Sequence, residues 1–107
     1  MTYRKTDQAV LLDALGDPTR REILEKLRAG PRAVGEIAAG MAISRPAVSQ
    51  HLKVLKDSGL VAETRQGTRH YFAIAPDGVG ELRAYLDGLW SDALAAFARH
   101  VEKEHTP

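Results

Sequence analysis

The stretch VGEIAAGMAISRPAVSQHLKVLKDS, residues 34–58, decides how this chain is read. Val34, Ile37, Ala38 and Met41 fall at helical spacing and predict a short helix. Ala42-Ile43 then reads as a tight turn. Ser44 is a residue whose hydroxyl accepts from orphan amides, and it precedes a second helix opening Arg45-Pro46, where proline needs no amide hydrogen. In that second helix Val48, Leu52 and Leu55 share one face, while Arg45, Ser49, Gln50 and Lys53 share another. Two helices of this kind, joined by a turn and packed through Ile37, Met41, Ile43, Val48 and Leu52, make a helix-turn-helix pattern. The small Ala38 lets the second helix approach closely. Arginine offers guanine a two-pronged donor, glutamine suits adenine, and serine is permissive. Arg45, Ser49, Gln50, His51 and Lys53 are therefore candidates for reading bases or holding phosphates.

Outward from this unit, Leu60 to Arg65 and Arg69 to Ala75 are rich in strand-forming residues and flank Gln66-Gly67-Thr68, which predicts a hairpin over residues 60–75. Arg65, Arg69 and His70 border its tip and are expected to project beside the second helix, where cations lie along phosphates or enter a minor groove. Upstream, Gln8 to Leu15 reads as a first helix, and Asp17-Pro18 starts another whose apolar face is Ile23, Leu24 and Leu27. Arg21 with Glu25 and Glu22 with Lys26 are spaced as ion pairs on its outer side. Residues 1–5 read as a flexible arm. Pro76-Asp77-Gly78 reads as a break, followed by a long helix over 78–103. Gly88 within that helix marks either a close contact or a bend. The expected class is mainly α with a small β-hairpin, four helices, two strands and a last helix in one domain.

Composition narrows the function. A chain of 107 residues with 44% hydrophobic and 27% charged residues is of ordinary size for one globular domain. It contains no cysteine, which excludes disulfides, thiolate metal sites and cysteine nucleophiles. The net charge of +1 is unevenly spread. Residues 44–76 carry five Lys and Arg against two Asp and Glu, whereas residues 77–107 carry three against six. The middle is the side suited to an anion. Apolar runs are too short for a membrane span, and the first residues lack a signal-peptide core, which predicts a cytoplasmic protein with no membrane partner. Catalysis finds no footing. Ser44, Ser49 and His51 lie on one short helix without an orienting carboxylate, and no phosphate loop or dinucleotide fingerprint occurs.

The last helix displays Leu82, Leu86, Leu89, Trp90, Leu94 and Phe97, a wide apolar stripe for so small a protein. Part of it must face the core. The remainder is an exposed patch unless a second chain covers it, which predicts a homodimer.

Taken together, Asp17-Pro18-Thr19-Arg20-Arg21-Glu22-Ile23-Leu24, Val34-Gly35-Glu36-Ile37-Ala38, Ser44 to Leu55, Gly59-Leu60-Val61 and Gly67-Thr68-Arg69-His70-Tyr71-Phe72 resemble the ArsR family of bacterial winged helix-turn-helix repressors. The resemblance spans roughly residues 8–100. It implies a homodimer joined through its first and last helices, which adds Leu11 to the interface residues above. It also implies a recognition helix in the major groove and a wing on the flanking backbone. Carried over by position, Ser44, Arg45, Ser49, Gln50 and His51 contact DNA, with Lys53 nearby and Arg69 on the wing, and the hairpin-tip reading above adds Arg65 to the DNA-binding candidates. The expected partner is a near-palindromic double-stranded operator, and the expected role is repression of its own or a neighbouring operon.

Many such relatives sense metals, and here this chain departs from the pattern. Glu36-Ile37-Ala38-Ala39-Gly40 stands where a cysteine box is needed, Leu94 follows Asp92 where a histidine belongs, and His100 and His105 are five apart. The resemblance is thus to a non-metal branch, with no metal site and no cofactor expected and no effector identified. Two alternatives remain: a winged-helix protein-interaction module that does not bind DNA, and a metal-responsive repressor using His100 and Glu104 of the last helix.

Overall fold

The computed structural model describes residues 4–105, with side chains from 8 to 104. The order is α1 (Arg4–Leu15), α2 (Pro18–Lys26), β1 (Arg32–Ala33), α3 (Val34–Ala39), α4 (Arg45–Asp57), β2 (Val61–Gln66), β3 (Arg69–Ile74) and α5 (Pro76–His105). Local chemistry accounts for most of these boundaries. Asp17 is extended and its carboxylate accepts from the Thr19 and Arg20 amides at 2.7 and 3.2 Å, opening α2 at Pro18. Ser44 accepts from the Ala47 amide at 3.3 Å and opens α4. Glu36 reaches back to the Ala33 amide at 2.9 Å and fastens the start of α3.

The fold differs from the sequence expectation in four places and narrows it in a fifth. Arg4 and Lys5, expected in an arm, already belong to α1; residues 1–3 lie outside the described residues. Pro76-Asp77-Gly78 is no break but the first turn of α5, because a helix's first amides need no partner and proline fits there. A two-residue strand, β1, joins the hairpin and makes a three-stranded antiparallel sheet in the order β1-β3-β2, with Arg32 opposite Phe72 and Ala33 opposite Tyr71. A methyl group added at Gly88 would meet nothing beyond the helix itself within 4 Å among the described residues, so Gly88 marks no close contact there. The Arg21–Glu25 pair expected on the outside of α2 is replaced. Arg21 donates to the Leu15 carbonyl at 2.7 Å and Glu25 pairs with Arg28 at 3.1 Å. Arg20 donates to the Ala14 and Asp13 carbonyls at 2.6 and 3.1 Å, so the two arginines serve the orphan carbonyls that end α1.

One core joins these elements: Leu11, Ala14, Ile23, Leu27, Ile37, Val48, Leu52, Leu55, Leu60 and Val61 are fully buried. α4 lies across its centre, so its apolar face is fixed and its polar face is turned out. α5 leaves this body. At 30 residues it is about 45 Å long at 1.5 Å per residue. The chain spans 70 × 35 × 20 Å with a radius of gyration of 18.6 Å, against about 13 Å for a compact domain of this length.

Candidate nucleic-acid interface

The interface starts from α4. Val48, Leu52 and Leu55 are buried, and that pins Ser44, Arg45, Ser49, Gln50 and Lys53 to the exposed side. Arg45 is exposed but bends back over the neighbouring helix. Its guanidinium lies over Gly35 of α3, where an added methyl group would meet Nη1 at 3.6 Å. Lys53 forms an ion pair with Asp57 one turn on, at 2.9 Å. His51 stands apart from the others. It is half-buried and close enough to Asp17 to help hold that carboxylate ionised, so it faces α2 as much as solvent. The Asp17 carboxyl is held below its ordinary value first by the Arg20 amide, against partial burial, then by the Thr19 amide and the charges of Arg20 and His51.

The hairpin closes through Gly67-Thr68. Gly67 has φ 63 at the first central position of a two-residue turn, the conformation that matches strand twist and that glycine adopts without strain. Register then determines where each cation points. Arg65 pairs with His70 and Gln66 with Arg69, so the pleat puts Arg65 and Arg69 on opposite faces. The tip cations therefore do not share one face of the wing. Arg69 donates to the Tyr71 hydroxyl at 3.3 Å, and this bond, with Glu36 farther off, holds it still more firmly protonated. Arg65 is exposed on the same face as Glu63 and His70. His70 is no free tip cation: its Nδ1 is bonded to a Glu63 carboxylate oxygen.

Between α3, α4 and the hairpin lies a groove of about 500 Å³, bordered by Gly35, Glu36, Arg45, Ser49, Arg69 and His70. A second, of about 290 Å³, runs between α4 and the sheet past Ser49, Lys53, Lys56 and Phe72. Glu63 borders both. Sequence reasoning passed over Lys56, Glu63, Glu36 and Tyr71. The available signal was strand alternation, which places Glu63 on the same face as Val61 and hence toward the helices.

The stripe on α5 is largely uncovered. Leu86, Leu89, Trp90, Leu94 and Phe97 are between 48 and 65% exposed, so α1 of the same chain does not cover them. Two expected interface residues also serve the chain's own core. Leu11 is 1% exposed and spends its surface in the chain's own core, leaving Val10 and Leu12 as the apolar surface of α1. Leu82 is half-buried against that core. Farther along, His100 and Glu104 pair with each other at 3.3 Å, and among the described residues no three His, Asp or Glu side chains come together as a metal site. No helix among the described residues is long and apolar enough to cross a membrane.

A capped helix pair with a two-stranded wing beside its second helix is the winged helix-turn-helix architecture. Residues 17–63 match the family described as "Bacterial regulatory protein, arsR family". The chain is 48% identical over 103 residues to the HTH-type transcriptional regulator Rv2034 of Mycobacterium tuberculosis, an alignment covering 96% of this chain and 94% of that protein. It is 39% identical over 61 residues to the transcriptional repressor SdpR of Bacillus subtilis, covering 57% of this chain and 68% of the repressor. Among solved structures, a homodimeric winged helix-turn-helix DNA-binding domain from Mycobacterium bovis, a possible ArsR-family regulator, superposes with a TM-score of 0.66 at 35% identity, over 86% of this chain and 89% of that one. The chain belongs to the ArsR family of bacterial regulatory proteins, which are transcriptional regulators and not enzymes.

Proposed function

We propose that this chain is a homodimeric repressor that reads a near-palindromic double-stranded DNA site. The observation that carries the reading is the outward polar face of α4, Ser44, Arg45, Ser49, Gln50 and Lys53, set beside a hairpin that bears Arg65 and Arg69. α4 enters the major groove, the hairpin follows the flanking backbone, and His51 serves from the α2 side of the helix. The exposed stripe of α5, with Val10 and Leu12 of α1, joins two copies. The long α5 and the large radius of gyration support this assignment, since an isolated chain leaves that stripe in water. Two symmetric readers require half-sites about one helical turn, ~10 bp, apart or a multiple of it. A protein that reads genomic DNA works in the cytoplasm of a bacterium, and residues 1–107 act as one unit.

Titrating purified protein against duplexes from its own promoter, and against shuffled duplexes, over a range of salt tests the reading. Specific binding that weakens steeply with salt is expected through counterion release. Arg45→Ala and Gln50→Ala should each lose roughly 1–3 kcal/mol and relax preference at one operator position. Indifference to every duplex at low salt overturns the reading in favour of a protein-interaction module. Unchanged affinity in both variants removes these residues from the site.

A further inference from the structure

Glu63 is out of place on a surface meant for a polyanion. It sits on β2 with its side chain 22% exposed, at the point where the two grooves beside α4 meet. A bare carboxylate there repels phosphate. Its charge, however, is already committed. One oxygen accepts from Lys56 Nζ at 2.8 Å, from the last turn of α4, and the other is bonded to His70 Nδ1, from β3. A single carboxylate therefore joins the recognition helix to both strands of the wing. Phe72, directly opposite Glu63 in the ladder, backs the same junction with an apolar ring.

Two hydrogen-bonded partners on one half-buried acceptor hold a geometry better than an exposed pair does, because fewer side-chain rotamers satisfy both bonds. On the tip side of the tie, the hairpin has no other side-chain bond to α4 among the described residues. We propose that Glu63 is a positioning residue for DNA recognition: by tying Lys56 of α4 to His70 of β3 it sets the offset at which the wing delivers Arg65 and Arg69 beside the recognition helix. This rests on the DNA-reading function proposed above. It assigns Glu63 no contact with a base; a carboxylate accepting from a cytosine amino group is the competing use of the same residue.

The test has one arm without DNA and one with it. The chain has no cysteine, so Val54→Cys on α4 and Thr68→Cys at the wing tip give two clean label sites. Doubly labelled chains diluted into excess unlabelled protein report the spin-label distance from α4 to the wing within one chain. A narrow distribution is expected with Glu63 and a broadened one in Glu63→Gln, with Glu63→Asp intermediate. In the second arm, Glu63→Gln should lose about tenfold in affinity for the promoter duplex, with base preference unchanged. Adding Arg69→Ala should cost less in that background than in the parent, since a loosened wing no longer places the arginine. Lys56→Met and His70→Gln should reproduce these effects, and they stand in if Glu63→Gln does not fold.

An unchanged distance distribution overturns the tie whatever the DNA does. A broadened distribution with full affinity and additive Arg69 loss overturns its role in recognition. Relaxed preference at one operator position with an unchanged distance makes Glu63 a base reader instead. If the parent protein ignores every duplex, the function reading and this use of the tie both fail, and the distances alone still show whether the tie exists.

Discussion

Two glycines of α5 should respond to the same substitution with opposite signs. Gly78, in the first turn, is buried against the corner that follows α4. A methyl group built there overlaps the Gly59 carbonyl and comes within 3.2 Å of the Leu60 nitrogen. These atoms are backbone, and the corner is held. Leu60 donates to the Leu55 carbonyl at 3.0 Å, Ala75 to the Leu60 carbonyl at 2.9 Å, and the Ser58 hydroxyl to the Leu55 carbonyl at 2.8 Å. No side chain can swing aside, so α5 itself must move. Overpacking of this kind costs about 1–3 kcal/mol, and an immovable neighbour argues for the upper end. Alanine recovers about 1 kcal/mol of helix propensity, leaving Gly78→Ala roughly 2 kcal/mol less stable. Gly88 meets nothing within 4 Å and, at 100° per residue, falls on the side of α5 opposite Leu86 and Phe97. Gly88→Ala should therefore gain about 0.5–1 kcal/mol. Urea unfolding at one fixed protein concentration measures both, because a dimer's stability varies with concentration. Parent-like stability of Gly78→Ala would falsify the packing argument. A loss in Gly88→Ala would mean that this side of α5 is covered by another chain.

Arg69→Ala should weaken binding to all duplexes alike and lower the salt slope by about one, measured by titration at several salt concentrations; a sequence-selective loss would make it a base reader. Leu94→Glu puts a charge into the stripe of α5 and should yield monomers or insoluble protein. Light scattering that shows an intact dimer moves the interface elsewhere. The Glu63 carboxyl is lowered from its ordinary 4.5 by its bond to Lys56 first and to His70 second, against partial burial. Its contribution to stability is thus complete above pH 4.5 and lost as pH falls through the lower folded value. The urea midpoint of Glu63→Gln should fall less than the parent's between pH 5 and pH 3, and parallel curves would show that the tie adds no stability.

What could be read in the sequence was local, and what could not was paired across the fold. Asp17-Pro18 and Ser44-Arg45-Pro46 announce helix starts because a cap and its amides lie within three residues, and both caps form. The hairpin was legible because Gly67 supplies the one turn conformation it needs. The two residues of β1 carry no such mark; they are a strand only because Phe72 and Tyr71 of β3 lie opposite. In α1, Val10, Leu11 and Leu12 are consecutive, and pattern alone does not say which of three adjacent apolar residues turns inward; the fold selects Leu11. Arg21 and Glu25 have the right spacing for an exposed pair, yet such a pair is worth only tenths of a kcal/mol. The unsatisfied carbonyls at the end of α1 are the stronger attraction, and they take the arginine.

The two halves of the candidate site divide along the same line. α4 alone determines which of its side chains face out, because burying Val48, Leu52 and Leu55 leaves Arg45, Ser49, Gln50 and Lys53 no other direction. The wing's cations are a different matter. Arg65 and Arg69 are near each other in the chain, but the ladder register sends them to opposite faces; the buried Val61 turns one face toward the core, and nearer the tip the Glu63 tie is the side-chain link to α4. Lys56, Glu63 and His70 lie in three different elements, α4, β2 and β3, so no helical or strand period links the three. Reading bases is thus a property of one helix, whereas aiming the wing requires three elements at once. Changes on the outward face of α4 should therefore alter which sequence is bound, and changes at Glu63 or its partners Lys56 and His70 should alter how firmly any sequence is held.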